Sequence, residues 1–284
     1  MDYLNPKLLK TAIVNTAVLI GALLMSGGAL AWGAKGHAVV CEIAWQQLKP
    51  ETRAWLQPLV NDKGYSSFAQ SCNWADHIKS DPSYDHLKPM HYVNLAKGSQ
   101  GYSKSALQCD QRSCITRAIP FYQQQLQNQQ GDQAQALLLL GHFVGDVHQP
   151  MHVSFAEDWG GNKLTLKVPG EDSTRNLHWL WDVWIIEQPN QDWQTLAQQM
   201  LDAPPVISAN TPIKNQNVHD WAAESFSLAL TIYRDYHANA AVNAAYRQRY
   251  APFARERIWL AGTRLAMLLE SIYQSRAPLD ESAG

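Results

Sequence analysis

A run of leucines in the middle of the chain leads directly into a histidine and an aspartate. Residues 136–140 read Ala-Leu-Leu-Leu-Leu, and His142, Asp146 and His152 follow. The apolar pattern predicts a buried helix over 133–149 that ends before a proline. Because residues four apart point from one face of a helix, His142 and Asp146 project together. Isolated charges are costly to bury, so this pair among leucines favours a site for a divalent metal such as zinc.

A second histidine–aspartate pair has the same spacing. His178 and Asp182 stand four apart in a tryptophan-rich segment that is predicted to be helical over 177–188. One such pair is also consistent with a solvated or capped helix face. Two pairs in one chain, each among apolar residues, favour metal binding.

Two further segments supply candidate ligands. Asp76 ends a Trp-Ala-Asp sequence, and Lys79 stands three residues further on. His91 lies in a short extended stretch, directly before Tyr92. Taken alone, each segment favours a structural role over a functional one.

The first 31 residues have the pattern of an export signal. Lys7 and Lys10 form a positive start, residues 11–25 are almost continuously apolar, and residues 29–31 read Ala-Leu-Ala. The apolar run is short for a membrane anchor, which needs roughly 20 residues to cross the hydrocarbon. We therefore predict a signal peptide over 1–31, a mature domain over 32–284, and a periplasmic or extracellular location.

Cleavage at this point would make Trp32 the mature N-terminus. A free α-amino group has a pKa near 8 and is readily deprotonated by a metal. It can chelate a metal together with its own carbonyl oxygen, and His37, five residues further on, could complete the set. The alternative treats Trp32 as an ordinary buried aromatic residue and His37 as the start of a helix.

The net charge argues against a basic surface for duplex nucleic acid. The whole chain has a formal charge of −2. Removing Asp2, Lys7 and Lys10 with the signal leaves 21 basic and 24 acidic residues (23 − 2 and 25 − 1). Since duplex binding uses many lysines and arginines, affinity for phosphate must be local, and bound metal is one source of it.

The four cysteines of an exported chain suggest two disulfides. Cys109 and Cys114 are close in sequence and could close the loop 110–113. Cys41 would then pair with Cys72. Four cysteines allow three connectivities, and all three remain open at this point.

Helical periodicity dominates the chain, and we find no domain boundary. One segment alternates like a strand, 162–168, between glycine-containing turns. The predicted architecture is a single, mainly α-helical domain. The predicted helices are 36–48, 116–128, 133–149, 177–188, 218–237 and 252–275.

The candidate residues fall into motifs with a definite order. They are a tryptophan at the predicted mature terminus, W-x4-H, W-A-D, a histidine before an aromatic residue, H-x3-D-x5-H, G-G-N and H-x3-D. In this order they resemble the zinc-dependent single-strand nucleases, the S1/P1 family, over nearly the whole of residues 32–284. The resemblance implies the mainly helical, single-domain fold of phospholipase C and nuclease P1, with a small β-hairpin element.

The resemblance also implies three zinc ions per chain, with one carboxylate shared between two of them. The implied ligands are Asp76, His91, His142 and Asp146 for one ion; the amino and carbonyl groups of Trp32, His37 and the shared Asp146 for the second; and His152, His178 and Asp182 for the third.

The implied activity is hydrolysis of single-stranded DNA and RNA to 5′-phosphorylated products, together with 3′-nucleotidase action. The implied partners are these nucleic acids and nucleotides. We expect no membrane partner, since no basic amphipathic helix is evident, and we expect a monomer. The base preference and the balance of endonuclease and exonuclease action stay open.

Residues on the substrate side are implied as well. Asp146, as the shared carboxylate, would be catalytic, and Lys79 would supply a further cation for the charged transition state. Tyr92 would stack on a base, and Asn162 would bond the edge of that base. Asn94 falls where many relatives carry aspartate; because asparagine donates as well as accepts, it leaves base preference open.

Two other functions are compatible with the same residues. The bacterial zinc phospholipases C share an N-terminal tryptophan and three metals, but they have a longer gap to the first histidine and end in H-x3-E. Here the gap is short and the last pair is His178 with Asp182, which favours the nuclease. The second alternative is an exported zinc-binding protein without catalysis, whose metal sites would be saturated.

Overall fold

The computed structural model describes residues 32–109, 114–187, 190–207 and 211–276. Within these ranges the protein is mostly helical with two small sheets, which confirms the predicted fold class. The predicted signal peptide, 1–31, lies outside the described residues. The α-helices are α1 (Ala34–Gln47), α2 (Pro50–Asp62), α3 (Phe68–Ser71), α4 (Trp74–His77), α5 (Ile115–Gln127), α6 (Gln133–Val147), α7 (Leu177–Trp179), α8 (Trp193–Asp202), α9 (Val218–Arg234) and α10 (Ala244–Ser275).

Shorter elements connect the helices. The strands are β1 (Val93–Leu95), β2 (Leu107–Gln108), β3 (Val153–Phe155), β4 (Thr165–Lys167) and β5 (Thr174–Asn176). Turns of 3₁₀-helix occupy Ile78–Ser80, Pro82–His91, Lys104–Ala106 and Pro150–His152, and a π-helical turn spans Leu180–Trp184.

Helix α6 lies at the centre of the fold. Its side chains from residue 136 to residue 147 are all buried, as the leucine run predicts. The carboxylate of Asp132 caps its N-terminus by accepting a hydrogen bond from the backbone N–H of Gln135 at 2.8 Å. Helices α1, α2, α5, α9 and α10 pack against it. The histidine and aspartate near its C-terminus therefore point into the interior of the protein.

The three-stranded sheet brings two distant segments together. Strand β1 pairs antiparallel with β2 and parallel with β3, and Val93 lies opposite Val153. Strand β1 begins two residues after His91 and β3 begins directly after His152. In this register the residues that precede the two strands are neighbours, and His152 Nδ1 lies 2.6 Å from the His91 carbonyl oxygen.

The predicted strand 162–168 is confirmed over its central residues. They form β4, which pairs antiparallel with β5 so that Leu166 lies opposite Arg175. This pair is the small β-hairpin element that the family resemblance implied.

Several helix boundaries differ from the predictions. The prediction that the last helix starts at Pro252 is wrong, because α10 starts at Ala244, where Asn243 accepts a hydrogen bond from the N–H of Tyr246 at 3.0 Å. The predicted helix over 177–188 is a short α-helix that widens into the π-helical turn, with the Ile185 N–H donating to the Leu180 carbonyl at 2.9 Å. Helices α2 and α8 were not predicted.

Both predicted disulfides are present. Cys41 bonds to Cys72, with their Cα atoms 6.5 Å apart, and Cys109 bonds to Cys114, with theirs 5.4 Å apart. The loop 110–113 that the second bond was predicted to close lies outside the described residues. In the described part of the chain, no helix combines the length and apolarity needed to cross a membrane.

Helices α1 and α10 pack tightly against each other at Gly262. A methyl group there would lie 2.6 Å from Ile43 Cγ2 and 2.8 Å from the Val40 carbonyl oxygen. Neither a branched Cβ nor a backbone oxygen can move aside by a simple rotation, so only glycine allows the two helices this contact.

We predict that Gly262→Ala destabilises the protein. Overpacking a core typically costs about 1–3 kcal/mol, which exceeds the gain of about 1 kcal/mol from replacing a helical glycine. Denaturant unfolding measures the change in the free energy of unfolding. Gly101→Ala is the control, since a methyl group there meets nothing within 4 Å. Equal stability of the two variants would contradict the close helix contact.

Candidate metal centre

The structure brings eight of the predicted site side chains into one buried region. They come from six segments: α1, α4, the end of the turn Pro82–His91, α6, the turn Pro150–His152, and the segment Leu177–Trp184. Each side chain belongs to a residue that is at most 8% exposed. The eight residues are His37, Asp76, His91, His142, Asp146, His152, His178 and Asp182.

Asp146 lies at the centre of the first group. Its Oδ1 is 3.2 Å from His37 Nε2, and its Oδ2 is 2.9 Å from His91 Nδ1 and 3.3 Å from His142 Nε2. The facing nitrogens of His91 and His142 are 3.1 Å apart. Zinc bonds of about 2.0–2.1 Å in a tetrahedron place neighbouring ligand atoms about 3.3 Å apart. The spacing of these atoms therefore suits a zinc ion, and Asp76 Oδ1 lies 3.6 Å from His142 Nε2 as a further ligand atom.

The second group contains two imidazoles that face each other. His152 Nδ1 donates to the His91 carbonyl at 2.6 Å, and His178 Nδ1 donates to the Gly160 carbonyl at 2.7 Å. With their protons on Nδ1, both neutral rings present an Nε2 lone pair, and these two atoms are 3.1 Å apart. Asp182 Oδ2 is 3.3 Å from His178 Nε2. Two facing lone pairs beside a carboxylate oxygen are an arrangement that a cation stabilises.

Several polar atoms of the site have no hydrogen-bond partner within the described ranges. They include both ring nitrogens of His37, His91 Nε2, Asp146 Oδ1 and Asp182 Oδ2. Leaving a buried polar atom without a partner costs about 1–3 kcal/mol. Oxygen and imidazole nitrogen are ligands that zinc accepts, so the residues present fit the metal that the motifs predict.

Burial keeps most of the imidazoles neutral. It lowers the pKa of His91 and of His178 to about 3, and it lowers the pKa of His37 as well. For His142 the effect of burial is outweighed by the carboxylates of Asp146 and Asp76, and the pKa is raised. Because neutral imidazole is the form that binds metal, burial prepares these side chains as ligands.

The two innermost carboxyl groups behave differently. Burial raises the pKa of Asp182 well above its usual value. Burial acts in the same direction on Asp146, but the neighbouring His142 and His152 outweigh it and hold the pKa of Asp146 well below its usual value. Asp146 is thus held ionised by the histidines around it, whereas Asp182 needs a cation to stay charged.

The beginning of the described chain lies against this cluster. The Trp32 side chain is buried, and its indole Nε1 donates to the Gly145 carbonyl at 2.9 Å. The Trp32 carbonyl accepts a hydrogen bond from the His37 N–H at 3.3 Å, and the His37 ring stacks on His142 at 3.8 Å. A methyl group on Gly145 would lie 2.8 Å from His37 Nδ1, so the glycine allows this histidine to reach the cluster.

Lys79 contacts the site through Asp76. Its Nζ lies 2.5 Å from Asp76 Oδ1, and its side chain is 22% exposed. Burial disfavours the charged form of Asp76, but His142 and Lys79 outweigh it and lower the pKa to about 2. The lysine is therefore an ion-pair partner of a candidate ligand at the edge of the site.

The predicted substrate residues lie close in sequence to candidate ligands or to segments that contact them. Tyr92, next to His91, is 41% exposed. Asn94 is half-buried on β1 and lies opposite Ser154 in the neighbouring strand. Asn162 is half-buried in the turn before β4 and donates from Nδ2 to the Trp159 carbonyl at 2.7 Å.

Two residues near the site were missed from the sequence. Trp159 is 66% exposed in a left-handed conformation (φ 57°), directly before the two glycines of the G-G-N motif. Gln149 is completely buried and donates from Nε2 to Asp182 Oδ1. The position of Gln149 inside the H-x3-D-x5-H motif was a signal that it could matter to the site. Its partner, Asp182, is 33 residues away in sequence, so the sequence did not indicate the contact.

Comparison with known protein families identifies the family of this chain. Residues 32–274 match the sequence model of the S1/P1 nuclease family. The chain is a member of the S1/P1 nuclease family. It is 29% identical over 278 residues to Endonuclease 3 of Arabidopsis thaliana, covering 89% of this chain and 92% of that protein. It is also 30% identical over 284 residues to Endonuclease 5 of the same plant, with coverage of 89% and 94%.

A fungal relative agrees with this assignment. Nuclease P1 of Penicillium citrinum is 26% identical over 272 residues, which are 86% of this chain and 98% of that nuclease. The protein is therefore a hydrolytic nuclease, as the motifs predicted. Membership in the S1/P1 nuclease family favours this reading over a phospholipase C and over a zinc-binding protein without catalysis.

We predict that Asp146→Asn lowers both metal content and nuclease activity. An amide is a much weaker ligand than a carboxylate, and this carboxylate lies within 3.3 Å of ring nitrogens of three histidines. Metal analysis of the purified variant, together with the turnover of single-stranded DNA, measures both effects. Asp62→Asn is the control, because its side chain is 64% exposed. Full metal content with normal turnover in Asp146→Asn would rule out Asp146 as a shared ligand.

Proposed function

We propose that this nuclease is an exported, trinuclear-zinc phosphodiesterase. It hydrolyses single-stranded DNA and RNA to 5′-phosphorylated products and also acts as a 3′-nucleotidase. The observation that carries the proposal is the buried cluster around Asp146, in which one carboxylate faces imidazoles from three different segments.

The proposed ligand sets use every buried histidine and aspartate of the cluster. Two of the sets share Asp146, whose two oxygens face different histidines. The sets are Asp76, His91, His142 and Asp146; the Trp32 amino and carbonyl groups with His37 and Asp146; and His152, His178 and Asp182. Support comes from three groups of closely spaced ligand atoms: His37 with His142 and Asp146, Asp76 with His91 and His142, and His152 with His178 and Asp182.

Zinc ions held in these sets would polarise the phosphate as Lewis acids and would lower the pKa of a bound water toward neutrality. Asp146 orients two of the sets relative to each other, because its Oδ1 lies 3.2 Å from His37 Nε2 and its Oδ2 lies 3.3 Å from His142 Nε2. Lys79 adds a positive charge at the edge of the cluster for the developing charge on phosphorus oxygens. Burial of the ligands keeps bulk water away and strengthens each of these interactions.

Tyr92, Asn94 and Asn162 are proposed to hold the base next to the cleaved bond. The exposed ring of Tyr92 offers a stacking surface, and any base can stack on it. The two asparagines offer donors and acceptors to the edge of the base. A base must leave its helical stack to lie on the tyrosine, which favours single strands over duplexes.

Export is proposed from three independent features. The first 31 residues have the pattern of a signal peptide. Two disulfides fit an oxidising compartment, either the periplasm or the extracellular space. The family match begins at residue 32, directly after the proposed cleavage point. The proposed mature protein is a monomer that starts at Trp32.

The proposed activity is tested with mature protein that starts at Trp32. We expect it to cleave single-stranded DNA and RNA much faster than duplex DNA, and to release products with 5′-phosphates. A chelator should abolish cleavage and added zinc should restore it. Phosphatidylcholine vesicles are the control substrate and should remain intact. Cleavage of the lipid with inert nucleic acid, or nuclease activity that survives complete removal of zinc, would contradict the proposal.

We predict that a retained N-terminal extension inactivates the nuclease. An amide nitrogen in place of the Trp32 amine is a poor ligand, so the set that contains His37 should bind zinc more weakly. Proteins with and without an uncleavable three-residue extension are compared for zinc content and turnover. The same extension at the C-terminus is the control. Normal zinc content and turnover with the N-terminal extension would exclude the amine as a ligand.

A further inference from the structure

Gln149 is a completely buried glutamine with both ends of its amide engaged. Its Nε2 donates to Asp182 Oδ1, and its Oε1 accepts a hydrogen bond from the backbone N–H of Met151. Asp182 lies in the π-helical turn Leu180–Trp184, whereas Gln149 follows helix α6. The side chain therefore ties two segments that are distant in sequence.

The backbone of the same residue connects two more candidate ligands. The Gln149 N–H donates to the Asp146 carbonyl at 2.9 Å, and the Gln149 carbonyl accepts from the His152 N–H at 3.1 Å. One residue thus bonds to Asp146, His152 and Asp182, which together represent all three proposed ligand sets, since Asp146 is shared by two of them.

The hydrogen bond to Asp182 also determines which of its two carboxylate oxygens is available to bind a metal. Oδ1 is engaged by the amide, whereas Oδ2 has no hydrogen-bond partner in the described part of the chain and lies 3.3 Å from His178 Nε2. The Nδ1 atoms of His152 and His178 are likewise engaged by carbonyls. One ligand atom from each of the three side chains lies within 4.8 Å of the other two.

We propose that Gln149 is a positioning residue for the third zinc set, His152, His178 and Asp182. Its amide holds the Asp182 carboxylate with Oδ2 toward His178 Nε2 and couples that orientation to the turn after Asp146. This role rests on the proposed trinuclear site. The glutamine touches no substrate and acts only through Asp182 and the turn.

The chemistry of the amide explains why glutamine is required. Asp182 needs a donor, and Met151 N–H needs an acceptor, and a single amide provides both. Leucine provides neither group, and glutamate cannot donate to a second carboxylate when it is ionised.

The test measures zinc itself. Mature wild type, Gln149→Leu and Gln149→Glu are stripped with a chelator and titrated with zinc, and bound zinc is counted at each free concentration. We expect wild type to hold three ions. Both variants should keep two ions with unchanged affinity and bind the third about 10–100-fold more weakly, the usual effect of removing a group that orients a ligand. Excess zinc should restore their turnover of single-stranded DNA.

Gln133→Leu is the matched control, since this partly buried glutamine also bonds carbonyls through its amide but lies at the far end of α6. It should bind three ions like wild type. Circular dichroism establishes that each variant is folded, and if Gln149→Leu does not fold, the nearly isosteric Gln149→Glu decides.

The outcomes separate the two proposals. Wild type that holds fewer than three ions would overturn the trinuclear site itself. Wild type with three ions and folded Gln149 variants whose third ion binds with unchanged affinity would overturn the positioning role alone. Lost turnover that excess zinc does not restore, with three ions bound, would also contradict it.

Discussion

The burial of Asp146 is the constraint on which the rest of the site depends. This residue is 0% exposed on a helix whose other buried side chains are almost all apolar, and an isolated charge there would be very costly. Histidines from α1, from the end of the turn Pro82–His91 and from α6 itself approach its two oxygens within 3.3 Å. The elements that carry those histidines must therefore be held against α6.

The Cys41–Cys72 disulfide joins helix α1, which carries His37, to the segment that contacts His142. Cys41 lies one helical turn after His37 on α1, and the Cys72 carbonyl accepts a hydrogen bond from His142 Nδ1 at 2.7 Å. Gly141, next to His142, leaves room for the sulfur atoms, since a methyl group there would lie 2.8 Å from Cys72 Sγ. The covalent bond thus orients side chains on two different helices.

A buried network of charged side chains holds the turn that follows helix α6. Arg264 Nη1 contacts His148 Nε2 at 2.9 Å, and both of its terminal nitrogens donate to the Glu224 carboxylate. Arg257 Nε donates to the His148 carbonyl at 3.2 Å. His148 stands between Asp146 and Gln149, so helices α9 and α10 fix the turn that leads from α6 to His152.

The candidate ligands could be predicted from the sequence because their spacing is a local property. His142 and Asp146, or His178 and Asp182, share a helix face whatever surrounds them. The boundaries of the helices and strands could be predicted less well from the sequence, since they depend on contacts between residues that are distant in sequence. The Trp181 indole, for example, donates to the Tyr246 hydroxyl at 3.0 Å in the region where the predicted helix becomes a π-helical turn. Pro50 and Pro58 resemble helix breakers, yet α2 starts at the first and continues through the second.

The most direct test of the central claim is anomalous X-ray diffraction at the zinc absorption edge from crystals of protein that starts at Trp32. The account predicts three zinc peaks: two beside Asp146, one on each of its oxygens, and a third between His152 and His178. A single peak, or peaks confined to surface histidines with none beside Asp146, would contradict the trinuclear centre.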